Sequence, residues 1–158
     1  MLGETLRDPW GVEGGGTVTG LGLLPCETEF STEKLRTRVT ARVLSGPLQN
    51  AGLEGYEIHM GRTDRRTAAP FCLLSDGRED GAVWGNVFGT YLHGLFDTGE
   101  LTDRLASWLL ARKGLEGTPA KMESHKEYQN RQLDLLAETV RAHLDLPAVF
   151  RIMEQWEG

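Results

Sequence analysis

The hydrophobic period of this chain changes once, near Asp97, and the change fixes which kind of element can occur where. Before it, Leu35, Thr37, Val39, Ala41 and Val43 alternate with Arg36, Arg38, Thr40 and Arg42. A period of two predicts a strand over 35–44 with one face buried and the other in water. After it, Leu101, Leu105, Trp108 and Leu109 fall on one helical stripe, with Asp97 or Thr98 placed to cap the start and Gly114 and Gly117 to stop it. A second helix is expected over 124–143, with Leu133, Leu136, Ala137, Val140 and Leu144 toward the core. Asp145 before Leu146-Pro147 predicts a third, short helix, because proline is tolerated in the first turn.

Glycine distribution supports a sheet-rich first part. The chain has 20 glycines, crowded into 11–22 and recurring beside short β-rich runs as far as Gly94. Strands joined by tight turns are the expected result. Beyond 35–44 the candidates are 21–24, 55–60, 71–74, 82–84 and 87–92, and the last lacks alternation, as a strand covered on both faces does. The stretch 114–122 suggests a hinge. One α/β domain over residues 1–158, with a helical C-terminal region from about residue 98, is the economical reading.

A formal charge of −6 and a pI near 5.2 over 158 residues offer no basic field to a phosphate backbone, so no nucleic-acid partner is expected. An acidic membrane surface would repel the chain too, and no apolar run is long enough to span a bilayer. The start, Met1-Leu2-Gly3-Glu4, lacks the regions of a signal peptide, so a cytoplasmic protein is expected. Cys26 and Cys72 have neither CxxC spacing nor a histidine pair nearby and read as buried small hydrophobes.

Open α/β sheets place their sites in loops at strand ends, which singles out two of the four histidines. His93 ends the run Thr90-Tyr91-Leu92-His93-Gly94, and His59 lies in Gly55-Tyr56-Glu57-Ile58-His59-Met60-Gly61. Glu57 and His59, two apart on a strand, share a face, either as a functional pair or as an ion pair. His125 and His143 fall on helices and are expected to be solvated. A metal site from His59, His93 and a carboxylate has no recognised ligand spacing, so no metal is expected. Gly14-Gly15-Gly16 has no Lys-Ser/Thr after it and reads as a flexible turn, not a phosphate loop.

Read together, Gly20-Leu21-Gly22-Leu23-Leu24-Pro25 with Glu27-Thr28, Gly55 to Thr63, Asp80-Gly81-Ala82, and Gly89 to Asp97 resemble the cobyric acid synthase family in order and approximate spacing. The resemblance implies a partial class I glutamine amidotransferase-like (flavodoxin-like) α/β domain, a central sheet with flanking helices. It further implies the glutaminase portion of an ATP-dependent ligase of cobalamin (vitamin B12) biosynthesis, which amidates corrinoid carboxylates with ammonia taken from glutamine. His93 matches the family's catalytic histidine, the base and then acid of a Cys–His pair. Glu57 and His59 would line the glutamine or ammonia-exit side. Leu95 stands where many class I amidotransferases carry a glutamate, so the site would be a dyad.

By the same resemblance the nucleophilic cysteine would lie about five residues before Met1, in a strand-to-helix elbow. Neither Cys26 nor Cys72 is its replacement, and the isolated chain is expected to be inactive. Cofactors are expected to be none in this chain, with ATP and Mg belonging to a synthetase domain outside it. The corrinoid would meet that domain, and glutamine is the expected small-molecule partner. An incomplete sheet would leave an open edge that favours self-association. The alternatives are a non-catalytic fragment acting as a partner-binding module, or a related amidotransferase acting on cobyrinic acid or cell-wall lipid precursors.

Overall fold

The computed structural model describes residues 1–97, 99–115 and 123–156. Its centre is a long antiparallel ribbon, β3 (Glu27–Val43) with β4 (Gly52–Asp64), closed by the loop 44–51. Their register slips between Phe30 and Leu35, where β3 carries extra residues opposite β4. Beside β3 lie β1 (Thr5–Asp8), in parallel, and then β2 (Gly16–Thr19). β5 (Cys72–Leu74) and β6 (Glu79–Asp80) extend from the far end of β3, and β7 (Ala82–Trp84) and β8 (Val87–Gly89) form a separate hairpin. β9 (Leu92–His93) pairs with the outer edge of β4. The main row runs β2-β1-β3-β4-β9, a mixed sheet whose two end strands are short.

The period of two in β3 works as expected over its second half. Val39 and Val43 are buried with Leu53 of β4, Phe71, Leu74, Val83 and Leu92, while Arg36, Arg38 and Arg42 are exposed. Thr37 is exposed as well, because the core ends at Val39 and the rest of the ribbon runs beyond it. α1 (Gly99–Arg112) closes this core with Leu101, which is 1% exposed, and packs Leu105 against it. Leu109, expected on the same stripe, is exposed. Of the two expected caps, Thr98 lies outside the described residues.

Other expectations need correction. Residues 21–24 form no strand. Their N–H groups donate to the carbonyls of Met1, Leu2 and Gly3 in a bend that leaves Leu21 and Leu23 exposed. The run 87–92 is not one strand but two, β8 and β9, broken at Thr90-Tyr91, and the missing alternation reflects that break. β1 and β2 escape a sequence reading because they are polar and largely unburied. They are held by their turn: the Asp8 carboxylate accepts from the N–H groups of Val12 at 2.9 Å, Glu13 at 2.7 Å and Gly15 at 2.9 Å. The triple glycine is a turn, and Gly16 already belongs to β2.

The chain divides into two units, residues 1–122 and 123–158. The second contains α2 (His125–His143) and α3 (Leu146–Trp156). Ser124 caps α2 in a capping box with Glu127, and Asp145 Oδ1 accepts from Ala148 N–H at the start of α3. The stripe expected to face a core is exposed: Leu133, Leu136, Val140 and Leu144 have no buried neighbour within α2, and α3 exposes Phe150, Ile152 and Met153. Two helices of this length cannot enclose an apolar stripe by themselves. Most of the expected hinge, 116–122, lies outside the described residues.

Candidate active site

β4 carries the chemistry because it runs from the core into open space with one face in line. Leu53 is packed in the core, and Glu57, His59, Gly61 and Thr63 continue the same face beyond it. Glu57 is 1% exposed, so its carboxylate stands where a charge needs partners. Arg78 supplies them, with Nη2 donating to Oε2 at 2.7 Å and Nη1 to Oε1 at 3.3 Å. Asp76 holds the other side of the same guanidinium, at 2.7–2.8 Å. The hydrogen bonds it donates to Glu57, then to Asp76, raise the Arg78 pKa further above its already high value. Arg78 was not legible as a partner, because only the fold brings it beside a residue 21 positions earlier.

His59 is the second neighbour of Glu57. Its Nδ1 donates to the Gly61 carbonyl at 3.0 Å, a bond whose direction is fixed because a carbonyl only accepts. Nε2 then lies 3.5 Å from Glu57 Oε1. The ring stacks on Tyr91, centroids 4.8 Å apart. The Tyr91 hydroxyl meets Thr63 Oγ1 at 2.8 Å and Thr28 Oγ1 at 3.2 Å, and the two threonines meet at 2.8 Å. These side chains line an open cleft of about 1160 Å³ that also reaches Met1, Leu2, Cys26 and Asp80. The pair expected from spacing is therefore present, but its main bond is Glu57 to Arg78.

His93 stands elsewhere. It is paired with Tyr56 in the β4–β9 register, and Leu92 with Glu57. Tyr56 points to the face opposite Glu57, so His93 lies on that face too, away from the cleft. Its ring stacks on Tyr56, centroids 5.2 Å apart and planes 13° apart. Gly55 makes the pairing possible, since a Cβ there would come 2.3 Å from the His93 carbonyl oxygen. His93 is exposed, and among the described residues nothing hydrogen-bonds its ring. His143 Nδ1 donates to Thr139 O and His125 lies against Gln129, both on exposed helix surface.

The cysteines are packed as the sequence suggests. Cys26 is 2% and Cys72 0% exposed. Burial raises the Cys26 thiol and pushes the Cys72 thiol up to about 12, with the Asp80 carboxylate adding to the effect on Cys72. Neither is placed to be a thiolate at neutral pH. Among the described residues no group of three or more His, Cys, Asp or Glu side chains could hold a metal ion, and no helix is long and apolar enough to cross a membrane.

Residues 1–101 match the CobB/CobQ-like glutamine amidotransferase domain, and the chain belongs to that family. Its mixed sheet with helices is of the class I glutamine amidotransferase-like α/β type. Among its relatives, the cobyric acid synthase of Ruminiclostridium cellulolyticum is 38% identical over 169 residues, covering 98% of this chain and 33% of the relative. That of Citrobacter koseri is 44% identical over 169 residues, with the same shares. That of Methylocella silvestris is 47% identical over 151 residues, covering 92% of this chain and 29% of the relative. The chain thus spans about a third of the length of the curated relatives it matches.

Proposed function

We propose that this chain supplies the histidine side of a Cys–His glutaminase within a ligase of the cobyric acid synthase type. The carrying observation is His93: a strand-end imidazole that is exposed, stacked on Tyr56 and not engaged by any other hydrogen-bonding group among the described residues. In the reaction a thiolate attacks the amide carbon of the glutamine side chain, and the C–N bond of the tetrahedral intermediate breaks. His93, having taken the thiol proton, returns it to the departing nitrogen, which leaves as ammonia. Water then attacks the thioester carbon, giving a proton to His93; the C–S bond breaks, the sulfur regains that proton from His93, and glutamate is released. Cys26 and Cys72 are buried, which supports a thiolate supplied from outside these 158 residues.

In the intact ligase the ammonia amidates a corrinoid carboxylate activated with ATP and magnesium, and that chemistry belongs to a synthetase domain. Glutamine is the small molecule this domain handles, in the cytoplasm. The relatives named above are cobyric acid synthases, which favours a ligase of that type over a related amidotransferase acting on cobyrinic acid or cell-wall lipid precursors. The test is a chimera in which this chain replaces the matching third of the Citrobacter koseri enzyme. His93→Ala should abolish glutamine-dependent amidation and leave ammonia-dependent amidation intact. Equal loss of both activities would make His93 a structural residue.

A further inference from the structure

The break between β8 and β9 decides where His93 stands, and it is built around one carboxylate that the chemistry above does not use. Asp80 is 8% exposed. Its Oδ2 accepts from the Thr90 hydroxyl and from Tyr91 N–H, the latter at 3.3 Å. Thr90 Oγ1 in turn accepts from Leu92 N–H at 3.1 Å. Three consecutive residues, 90 to 92, are thereby fixed to one side chain, directly or through the threonine.

The backbone around Asp80 is equally determined. Its carbonyl accepts from Phe71 N–H at 3.2 Å. Gly81 follows at φ +72°, and a Cβ there would come 2.4 Å from the Gly89 carbonyl oxygen. Residues 80–81 therefore cross 89–90 at backbone contact. On the far side of the break, Tyr91 is tied by its hydroxyl to Thr63 and Thr28, Leu92 enters the core, and His93 meets Tyr56.

We infer that Asp80, acting through Thr90, is a positioning residue for His93: it sets the strand break and hence the register in which the imidazole stacks on Tyr56. Asp80 touches neither the ring nor any reacting atom. Its functional consequence rests on the proposed role of His93, but its geometry does not.

The experiment uses the 158-residue chain, with histidine and tyrosine labelled, and reads the nuclear Overhauser cross-peak between the Tyr56 and His93 rings. The peak is expected in the unmodified chain, in Thr90→Ser, which keeps the hydroxyl, and in Asp8→Asn, which perturbs a distant turn. It should vanish in Asp80→Asn and Thr90→Val. Undiminished peaks in those two variants, or equal loss in Asp8→Asn, would overturn the inference. Should both variants fail to fold, amide exchange in the unmodified chain decides. Tyr91 and Leu92 N–H groups protected like those of β3 and β4 support the clamp, and free exchange overturns it. In the chimera, Thr90→Val should lower kcat for glutamine-dependent amidation about tenfold to a hundredfold with KM unchanged. If His93→Ala leaves glutamine use intact there, the reading of His93 fails while the cross-peak result stands.

Discussion

Glu57 and His93 sit on neighbouring strands, one register position apart, with their side chains on opposite faces of the sheet. The arrangement follows from strand geometry: Leu92 is opposite Glu57, His93 is opposite Tyr56, and successive residues alternate. One site suggested by the sequence is thereby two. The cleft holds the Glu57–Arg78–His59 network, and the other face holds the Tyr56–His93 stack.

The two histidines should therefore separate in function. In the chimera, His93→Ala is expected to cost about 10²–10⁴-fold in glutamine-dependent amidation, the usual worth of a general base and acid. His59→Ala should cost less, because its Nδ1 is committed to Gly61 and its ring to Tyr91. Steady-state rates with glutamine and with ammonia check this, and a loss at His59 as complete as at His93 would reverse the ranking.

Glu57 makes a prediction about stability. Removing Arg78 leaves a carboxylate that is 1% exposed with, among the described residues, only His59 as a polar side-chain partner. Arg78 is itself half exposed and water can partly replace it, so Arg78→Ala should cost about 1–2 kcal/mol, well below the loss of a fully buried partner. Asp76→Ala removes an exposed pair and should cost less than Arg78→Ala. Urea midpoints with unchanged slopes measure both.

How much of this was legible depends on whether a signal is local. Alternation at Val39 to Val43 and the helical stripes are local: α2 starts one residue from expectation, and the alternating run lies inside β3, whose less regular first part, from Glu27, was not read as strand. The pairing of Glu57 with His59 was readable because both lie on one strand. Arg78 and Asp80 were not, since their roles arise only when β4, the 75–80 segment and β9 are brought together. The exposed stripe of α2 shows a further limit: periodicity tells which face is apolar, not whether anything covers it. β1 and β2 lacked even that signal, their turn depending on Asp8 reaching forward to Val12, Glu13 and Gly15.

Asp8 should make itself felt in acid. Burial acts to raise its pKa, but hydrogen bonds from the N–H groups of Glu13, Gly15, Val12 and Gly11 together outweigh that and hold it below the ordinary value of 3.8. A carboxyl depressed in the folded state contributes stability that is present above its unfolded pKa and is lost as pH falls through the folded one. The contribution is thus intact at neutral pH and disappears below about pH 4. Asp8→Asn should flatten the acid limb of a plot of melting temperature against pH. An unchanged slope below pH 4 would show that the turn does not depend on the charge.

The thiols supply the last prediction. At pH 8 a thiol at about 12 is ionised in about one molecule in ten thousand, whereas an unfolded cysteine near 9 is ionised in about one in ten. Cys72 should therefore react with iodoacetamide about a thousandfold faster in urea than in the folded chain, before any gain from access is counted. Cys26, raised by burial and with its sulfur 4.0 Å from the Arg65 carbonyl, should also be slow when folded. Cys72 is packed in the core cluster that Leu92 joins and Cys26 in a second cluster with Leu24, Ala68 and Ala82, whereas His93 is exposed. The 158-residue chain incubated with labelled glutamine should accordingly release no glutamate. Release that disappears in Cys26→Ser or Cys72→Ser would identify a nucleophile within the chain and overturn the assignment of the thiolate to a residue outside it.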